Sequence, residues 1–243
     1  MRIAILKAGT ATRRTRERAG DYHALFQALL AQPGQQWECH DVEHGEFPAS
    51  LAGCAGLVLT GSPAAAYEDT PWVHRLLDTI RAAHAAQVPL LGICFGMQAV
   101  AQALGGRVEP NPLGWELGVV ELELTAAGRR WPPLAAAPRP LRLLQTHSDI
   151  VVEAPPGAVV LARSPRTRIE LFTLGERVLC LQGHPELDAD MVRELIDKRE
   201  ARGLLPPPRA AEGRASLALA PSGAFCQDWL RTFLREGRVP AAA

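Results

Sequence analysis

The chain has 243 residues, 26 Lys and Arg against 26 Asp and Glu, and 47% hydrophobic side chains; this fits one large α/β domain with a sizeable core and leaves no net field to draw it to nucleic acid or an anionic membrane. The five cysteines, Cys39, Cys54, Cys94, Cys180 and Cys226, are odd in number and form no C-x-x-C pair, which argues against a disulfide framework or zinc site and for a reducing compartment. Met1 to Leu6 runs directly into a strand and is too short for a signal peptide, and no apolar run reaches the ~18 residues of a membrane span, so a cytoplasmic protein is expected.

In chain order, Arg2 to Lys7 reads as a strand apolar enough for a parallel sheet. Ala8 to Gly20 is a polar loop holding Arg13, Arg14, Arg16 and Arg18: a solvated loop, or alternatively a lid or partner-docking surface where open α/β sheets place their ligands. Asp21 caps a helix with Tyr22, Leu25, Phe26, Leu29 and Leu30 on one face, stopped by Pro33-Gly34. Trp37 to Val42 is the second strand, and His40, Asp41 and His44 match no metal-site spacing and read as surface residues. Gly56 to Thr60 is a buried strand ending in Gly61-Ser62-Pro63. A glycine there makes a plain turn or lets its N–H point at an oxyanion. Thr70 as N-cap and Pro71 at the first helical position open a helix to about Ala86 with Val73, Leu76, Leu77 and Ile80 inward.

Val88 to Gly106 carries the chemistry. Pro89, Leu90, Leu91 and Ile93 make a buried strand, Ala99 to Leu104 suit a helix closed by Gly105-Gly106, and Cys94 sits at their junction between Gly92 and Gly96. This is the geometry of a nucleophile elbow, with the glycines allowing the tight turn and the helix N-terminus favouring a thiolate. The N–H of Phe95 can then stabilise an oxyanion. A buried core cysteine is the alternative. Gln98 lies one turn after Cys94 and shares its face.

From Arg107 the pattern changes to antiparallel hairpins, with strands over Trp115 to Leu124, Leu141 to Leu144 and Ala158 to Arg163, and an exposed Ala/Pro/Arg-rich excursion over Ala126 to Pro140. His147-Ser148-Asp149 places polar residues directly after a strand, by themselves no more than a local turn. In Val178 to Glu186 an apolar strand ends in Gly183, and His184 and Glu186 follow two apart, so that a carboxylate can hold the neighbouring imidazole as orienter to a base. Ala189 to Arg202 is a helix with Met191, Val192, Leu195 and Ile196 inward, Gly203 to Arg214 a surface loop, and Ser222 caps a last helix with Phe225, Trp229, Leu230, Phe233 and Leu234 in a stripe. That stripe docks on the domain's own core or, as the alternative, makes a homodimer contact. Residues 1–243 read as a single domain with 203–243 as a C-terminal loop and helix extension.

Gly92-Ile93-Cys94-Phe95-Gly96-Met97-Gln98 and Gln182-Gly183-His184-Pro185-Glu186, in that order and each at a strand end, resemble the G-x-C-x-G elbow and late H-P-E of the class I glutamine amidotransferases. Thr60-Gly61-Ser62-Pro63 and Thr146-His147-Ser148-Asp149 resemble two weaker signatures of the family. The resemblance runs roughly from Met1 to Arg202 and looks closest to stand-alone members related to the amidotransferase half of GMP synthetase, a group that includes the γ-glutamyl peptidases. It implies a flavodoxin-like α/β fold, an open mostly parallel sheet flanked by helices. It further implies Cys94, His184 and Glu186 as catalytic residues, Gly61 and Phe95 as oxyanion donors, and Ser62, Gln98, Ser148 and Asp149 at the substrate. The family more often shows a second glycine where Ser62 stands.

The implied chemistry is acyl transfer from glutamine or a γ-glutamyl amide through a thioester, without metal or cofactor. The chain has no P-loop and no G-x-G-x-x-G fingerprint, and no room for a synthetase to take up ammonia. Two enzyme readings stay open, a self-sufficient hydrolase and a glutaminase subunit that serves a separate synthetase. A third, a non-catalytic binding or redox-sensing protein, would use Cys94 as an oxidisable thiol, but it has no need of the H-P-E.

Overall fold

The computed structural model describes residues 1–239. In chain order β1 (Arg2–Lys7) is followed by α1 (Arg13–Ala19), α2 (Tyr22–Leu30), β2 (Gln36–Asp41), β3 (Cys54–Leu59), α3 (Pro71–Ala85), β4 (Leu90–Ile93) and α4 (Phe95–Ala103). Then come β5 (Arg107–Pro110), β6 (Glu116–Leu124), α5 (Ala126–Arg130), α6 (Pro132–Ala135), β7 (Leu141–His147), β8 (Asp149–Glu153), β9 (Ala158–Arg163), β10 (Leu171–Leu174) and β11 (Val178–Leu181). Three helices close the chain: α7 (Ala189–Ala201), α8 (Pro207–Ser216) and α9 (Gly223–Glu236).

Nine strands form one sheet in the order β2-β1-β3-β4-β11-β10-β9-β6-β7. The first five are parallel and the rest antiparallel, so the expected hairpins continue the parallel sheet, while β5 and β8 pair as a small antiparallel sheet. Strands apolar at every position need cover on both faces, and here they have it. Ile3, Ile5, Val58, Leu91 and Leu179 pack with Phe26 and Leu30 of α2 and with Trp229, Leu230, Phe233 and Leu234 of α9. Their alternating neighbours Leu6, Leu57, Leu59, Leu90 and Val178 pack with Leu76 and Ile80 of α3 and with Phe95, Met97 and Val100 of α4. Trp229, Leu230, Phe233 and Leu234 of the apolar stripe of α9 are thus covered by the chain's own core, with Phe225 partly buried against it. β4 lies between β3 and β11, with Gly92 opposite Leu59 and Ile93 opposite Leu181. The loops after these three strands therefore leave the same sheet edge side by side, the place where open parallel sheets gather a site.

Several elements differ from the sequence reading. Within the expected loop 8–20, residues 13–19 form α1, whose N-cap Thr12 accepts from the Thr15 N–H at 3.2 Å. Only Thr15 of this helix is buried, its hydroxyl 3.0 Å from Glu194 on α7, so no apolar stripe announced it. The supposed excursion 126–140 is the helix pair α5 and α6, capped by Thr125 and anchored by buried Trp131 and Leu134. The loop expected over 203–214 is largely α8: Pro207 and Pro208 stand in its first turn, where no amide hydrogen is needed. Strands β5, β8 and β10 were not anticipated. Thr70 and Ser222 occupy N-cap positions without capping; Ser222 Oγ instead accepts from the Arg142 N–H at 3.2 Å. Asp41 is not merely a surface residue, because it pairs with buried Lys7 at 2.6 Å. Among the described residues no helix is long and apolar enough to cross a membrane.

Candidate active site

At the end of β4 the backbone of Cys94 turns through φ 55° and ψ −111°, a region that side chains other than glycine rarely adopt. The strain sits on Cys94 itself, not on the flanking glycines, as the sequence reading had it. Those glycines supply room: a Cβ on Gly92 would stand 2.7 Å from the Gly96 carbonyl oxygen, and one on Gly96 2.4 Å from that of Leu59. The turn is tied down by the Cys94 N–H donating to Leu181 O at 2.8 Å and the Gln98 N–H donating to Cys94 O at 3.1 Å. Cys94 is 6% exposed. Phe95, first residue of α4, has no intrahelical acceptor for its N–H. Just after β3, a Cβ on Gly61 would lie 3.2 Å from His184 Cε1 and 3.9 Å from Cys94 Cβ. The structure thus brings Cys94, Gly61 and His184 together.

Beyond β11, the His184 N–H donates to Leu144 O at 2.8 Å, which ties this segment to β7. His184 Nδ1 hydrogen-bonds Glu186 Oε1 at 2.7 Å, with both side chains buried. Among the described residues Nε2 is engaged by no polar N or O atom. Burial opposes a charged His184 imidazole, but the negative charges of Glu186 and Cys94 outweigh it and raise the pKa to about 10. Tyr22, at the start of α2, is pushed up to about 12, by burial first and then by Glu186.

Two compartments meet at Cys94. One, of about 150 Å³, is lined by His184, Tyr22, Thr146, Lys198, Arg199 and Arg202 among others; the second, of about 50 Å³, by Ser62, Gln98, Trp115, Ser148, Asp149 and Arg199. The four residues expected at the substrate all line the second. Gln98 Nε2 donates to Asp149 O at 2.8 Å and to Gln182 Oε1 at 3.1 Å, so its amide group braces the Ser148-Asp149 segment. Ser62 Oγ accepts from the Ala64 N–H at 3.1 Å, and the Ser148 carbonyl accepts from the Asn111 N–H at 2.7 Å.

Two features escaped the sequence reading. Arg199 stacks 4.6 Å from the centre of the Trp115 ring and donates to Thr146 Oγ1. Its signal was present, since Leu195, Lys198, Arg199 and Arg202 fall at i, i+3, i+4 and i+7 of one helix face. The other feature is a buried cluster behind the second compartment. His147 Nδ1 lies 3.1 Å from Asp149 O and Nε2 3.4 Å from Glu116 Oε2. Glu116 accepts from Ser164 Oγ and Thr167 Oγ1, both at 2.6 Å, and Gln145 donates to Glu170 at 2.7 Å. Burial pushes Glu116 up, but His147 and the two hydroxyls hold it down at about 2; burial and the nearby Glu116 raise Glu170 well above the usual carboxylate range. Ligand atoms of Glu116, His147 and Glu170 lie within 4.8 Å of one another, near enough to cage a cation.

Residues 25–195 match the model of the family described as glutamine amidotransferase class-I. Gamma-glutamyl peptidase 4 of Arabidopsis thaliana is 35% identical over 202 residues, 82% of this chain and 80% of that protein. GMP synthase [glutamine-hydrolyzing] of Aeropyrum pernix is 34% identical over 149 residues, 61% of this chain but 27% of its own length. The crystal structure of a glutamine amidotransferase from Methylobacillus flagellatus superposes with a TM-score of 0.74 at 24% identity, over 100% of this chain and 96% of that one, a likeness of fold. With most of its length matched by that family model and the cysteine turn, the histidine and the glycine loop meeting at one sheet edge, the chain belongs to the class I glutamine amidotransferases.

Proposed function

We propose that the chain hydrolyses the side-chain amide of glutamine or of a γ-glutamyl compound, with Cys94 as nucleophile, His184 as general acid and base, and Glu186 as the orienter of the imidazole. The observation that carries this reading is the convergence of a strained Cys94 with a His184 whose Nδ1 is held by Glu186 at 2.7 Å and whose pKa Cys94 helps to raise. Cys94 gives its proton to His184 Nε2 as its sulfur attacks the side-chain carbonyl, and the oxyanion accepts hydrogen bonds from the N–H groups of Phe95 and Gly61. His184 Nε2 protonates the departing nitrogen, the C–N bond breaks, and a γ-glutamyl thioester remains on Cys94. Water then loses a proton to His184 Nε2 and attacks the thioester, the C–S bond breaks to release glutamate, and His184 returns the proton to the Cys94 sulfur. The names of the Arabidopsis relatives support amide hydrolysis as the reaction. Ser62, Gln98, Ser148 and Asp149 would face the glutamyl half, with Gln98 acting in part through the Asp149 carbonyl.

The test is release of glutamate, and of ammonia or amine, from glutamine and from a γ-glutamyl dipeptide by the purified chain, with Cys94→Ala alongside. Turnover by the wild type that Cys94→Ala lacks is the expected result, and equal release by both proteins would dispose of the mechanism. A second reading, a glutaminase subunit that supplies ammonia to a separate synthetase, is favoured by the 34% match to a 149-residue stretch of the larger GMP synthase. It expects negligible activity alone and stimulation by a co-purified partner.

A further inference from the structure

Behind the second compartment, β6 and β7 bring polar side chains together in the core. Glu116 and His147 stand opposite each other across the two strands, and Gln145, two positions along β7, shares their face. Glu170, just before β10, joins them, its Oε2 accepting from Gln145 Nε2 at 2.7 Å. Glu116 is 1% exposed, His147 4%, and Gln145 and Glu170 0%. Among the described residues neither carboxyl group pairs with a lysine or arginine. Two acids are therefore buried with no fixed cation beside them, which is costly unless something else balances their charge.

The separations point to what balances it. His147 Nδ1 faces the Asp149 carbonyl at 3.1 Å. A carbonyl only accepts, so Nδ1 carries the hydrogen and the neutral ring presents its Nε2 lone pair to Glu116 Oε2. That contact is 3.4 Å, longer than a charge-assisted N–H···O bond of about 2.7–2.9 Å. It fits a different geometry, because two ligand atoms each about 2.0–2.1 Å from a tetrahedral zinc ion stand roughly 3.4 Å apart. A carboxylate oxygen of Glu170 lies within 4.8 Å of the ligand atoms of Glu116 and His147. Among the described residues Gln145 Oε1 and Glu170 Oε1 are buried and receive no hydrogen bond, so both oxygens have a lone pair to give. One imidazole nitrogen with oxygens from two carboxylates and an amide, and no thiolate, is a donor set that suits zinc, and its two negative charges match a divalent ion.

We propose that Glu116, His147 and Glu170, with the Gln145 amide oxygen, bind one divalent transition-metal ion of the zinc type. The ion is structural. His147 lines the second compartment with Ser148 and Asp149, and the Asp149 carbonyl that its Nδ1 meets is the one Gln98 Nε2 reaches at 2.8 Å. By holding His147 the metal fixes that wall, and it takes no part at Cys94.

The test is metal content, read on the full chain in two ways. In one arm the protein is purified without chelator from cells grown with added zinc. In the other it is unfolded in urea with a chelator and refolded with or without Zn²⁺, so that burial of the site does not bar entry. About one zinc per chain by elemental mass spectrometry is expected, and the zinc-refolded protein should melt about 5 °C or more above the metal-free one. Glu170→Gln and His147→Phe each remove one ligand and should retain less than about a tenth of the zinc, with no melting shift on its addition. His44→Ala, which disables the exposed group of Asp41, Glu43 and His44, should keep the full complement. Protein refolded with Co²⁺ should show d–d absorption without a thiolate charge-transfer band. Wild type that is native yet metal-free in both arms would overturn the proposal, as expected if protons alone neutralise the cluster. So would zinc retained by either folded ligand variant, or a thiolate band that assigns the metal to a cysteine.

Discussion

At Cys94 a single residue carries both the proposed nucleophile and a backbone conformation at φ 55°, ψ −111° that glycine alone adopts with ease. Two substitutions separate these properties. Cys94→Ala keeps the strain and Cys94→Gly relieves it, so both should be inactive, yet Cys94→Gly should be more stable by about 1 kcal/mol in urea unfolding, after allowance for glycine's larger unfolded-state entropy. His184 leads to a pH prediction. Because its pKa is raised from 6.5 to about 10 in the folded chain, the stability contributed by its charged form is complete below pH 6.5 and is lost as the pH rises through about 10. Glu186→Gln removes the leading charge that raises it, so the decline in unfolding free energy between pH 7 and pH 10 should become shallower in that variant. Glu116 and Glu170 make a third pair of outcomes. In the metal-free chain Glu170, whose carboxyl burial and the nearby Glu116 hold well above the usual carboxylate range, should accept Glu170→Gln with a loss of no more than about 1 kcal/mol, whereas Glu116→Gln weakens two charge-assisted bonds and should cost about 2–3 kcal/mol by thermal unfolding.

Among the elements, α4 is the one whose seat determines where Cys94 stands. It packs so closely on β3 that a methyl group on Gly96 would stand 2.4 Å from Leu59 O, a backbone atom with no rotamer to yield. Gly96→Ala should therefore cost about 3 kcal/mol or more, or abolish soluble expression, and any folded fraction should have lost activity as the elbow shifts. How visible each element was in the sequence follows from what holds it. The strands of the parallel half were legible because continuous apolar runs are required wherever both faces are covered. Helix α1 was not, since it presents polar residues nearly all round and rests on Thr12 and on the contact of Thr15 with Glu194. In α8 the residues Pro207, Pro208 and Gly213 read as breakers. The prolines fall in the first turn, and a Cβ on Gly213 would stand 3.0 Å from that of Leu117. Composition registers such residues but not the neighbour that makes them fit.

At the scale of the molecule, the last helix bears weight out of proportion to its place outside the matched region 25–195. Trp229, Leu230, Phe233 and Leu234 of α9 lie in the same core as Ile3, Ile5 and Phe26, and Gln227 and Gln32 add bonds of 2.8 and 2.9 Å across to Leu29 and Arg231. Burying four such side chains contributes about 6–12 kcal/mol, comparable to the 5–15 kcal/mol by which a domain is stable at all. A chain ending at residue 219 should accordingly be insoluble or fail to show a cooperative melt by circular dichroism. A folded and active truncated chain would show that α9 is dispensable.

The sequence by itself determined the α/β class, the parallel strands and the two short motifs at strand ends, because continuous apolar runs and residues within a few positions of each other are local properties. The tertiary structure alone decided which motif ends face one another, which residue of the elbow bears the strain, and that Arg199, Trp115 and Thr146 meet beside Cys94. It also decided that Glu116, His147 and Glu170 share one buried cluster. Such contacts join segments from β6, β7, the turn before β10 and α7, and their energies depend on burial and on partners that no local pattern encodes.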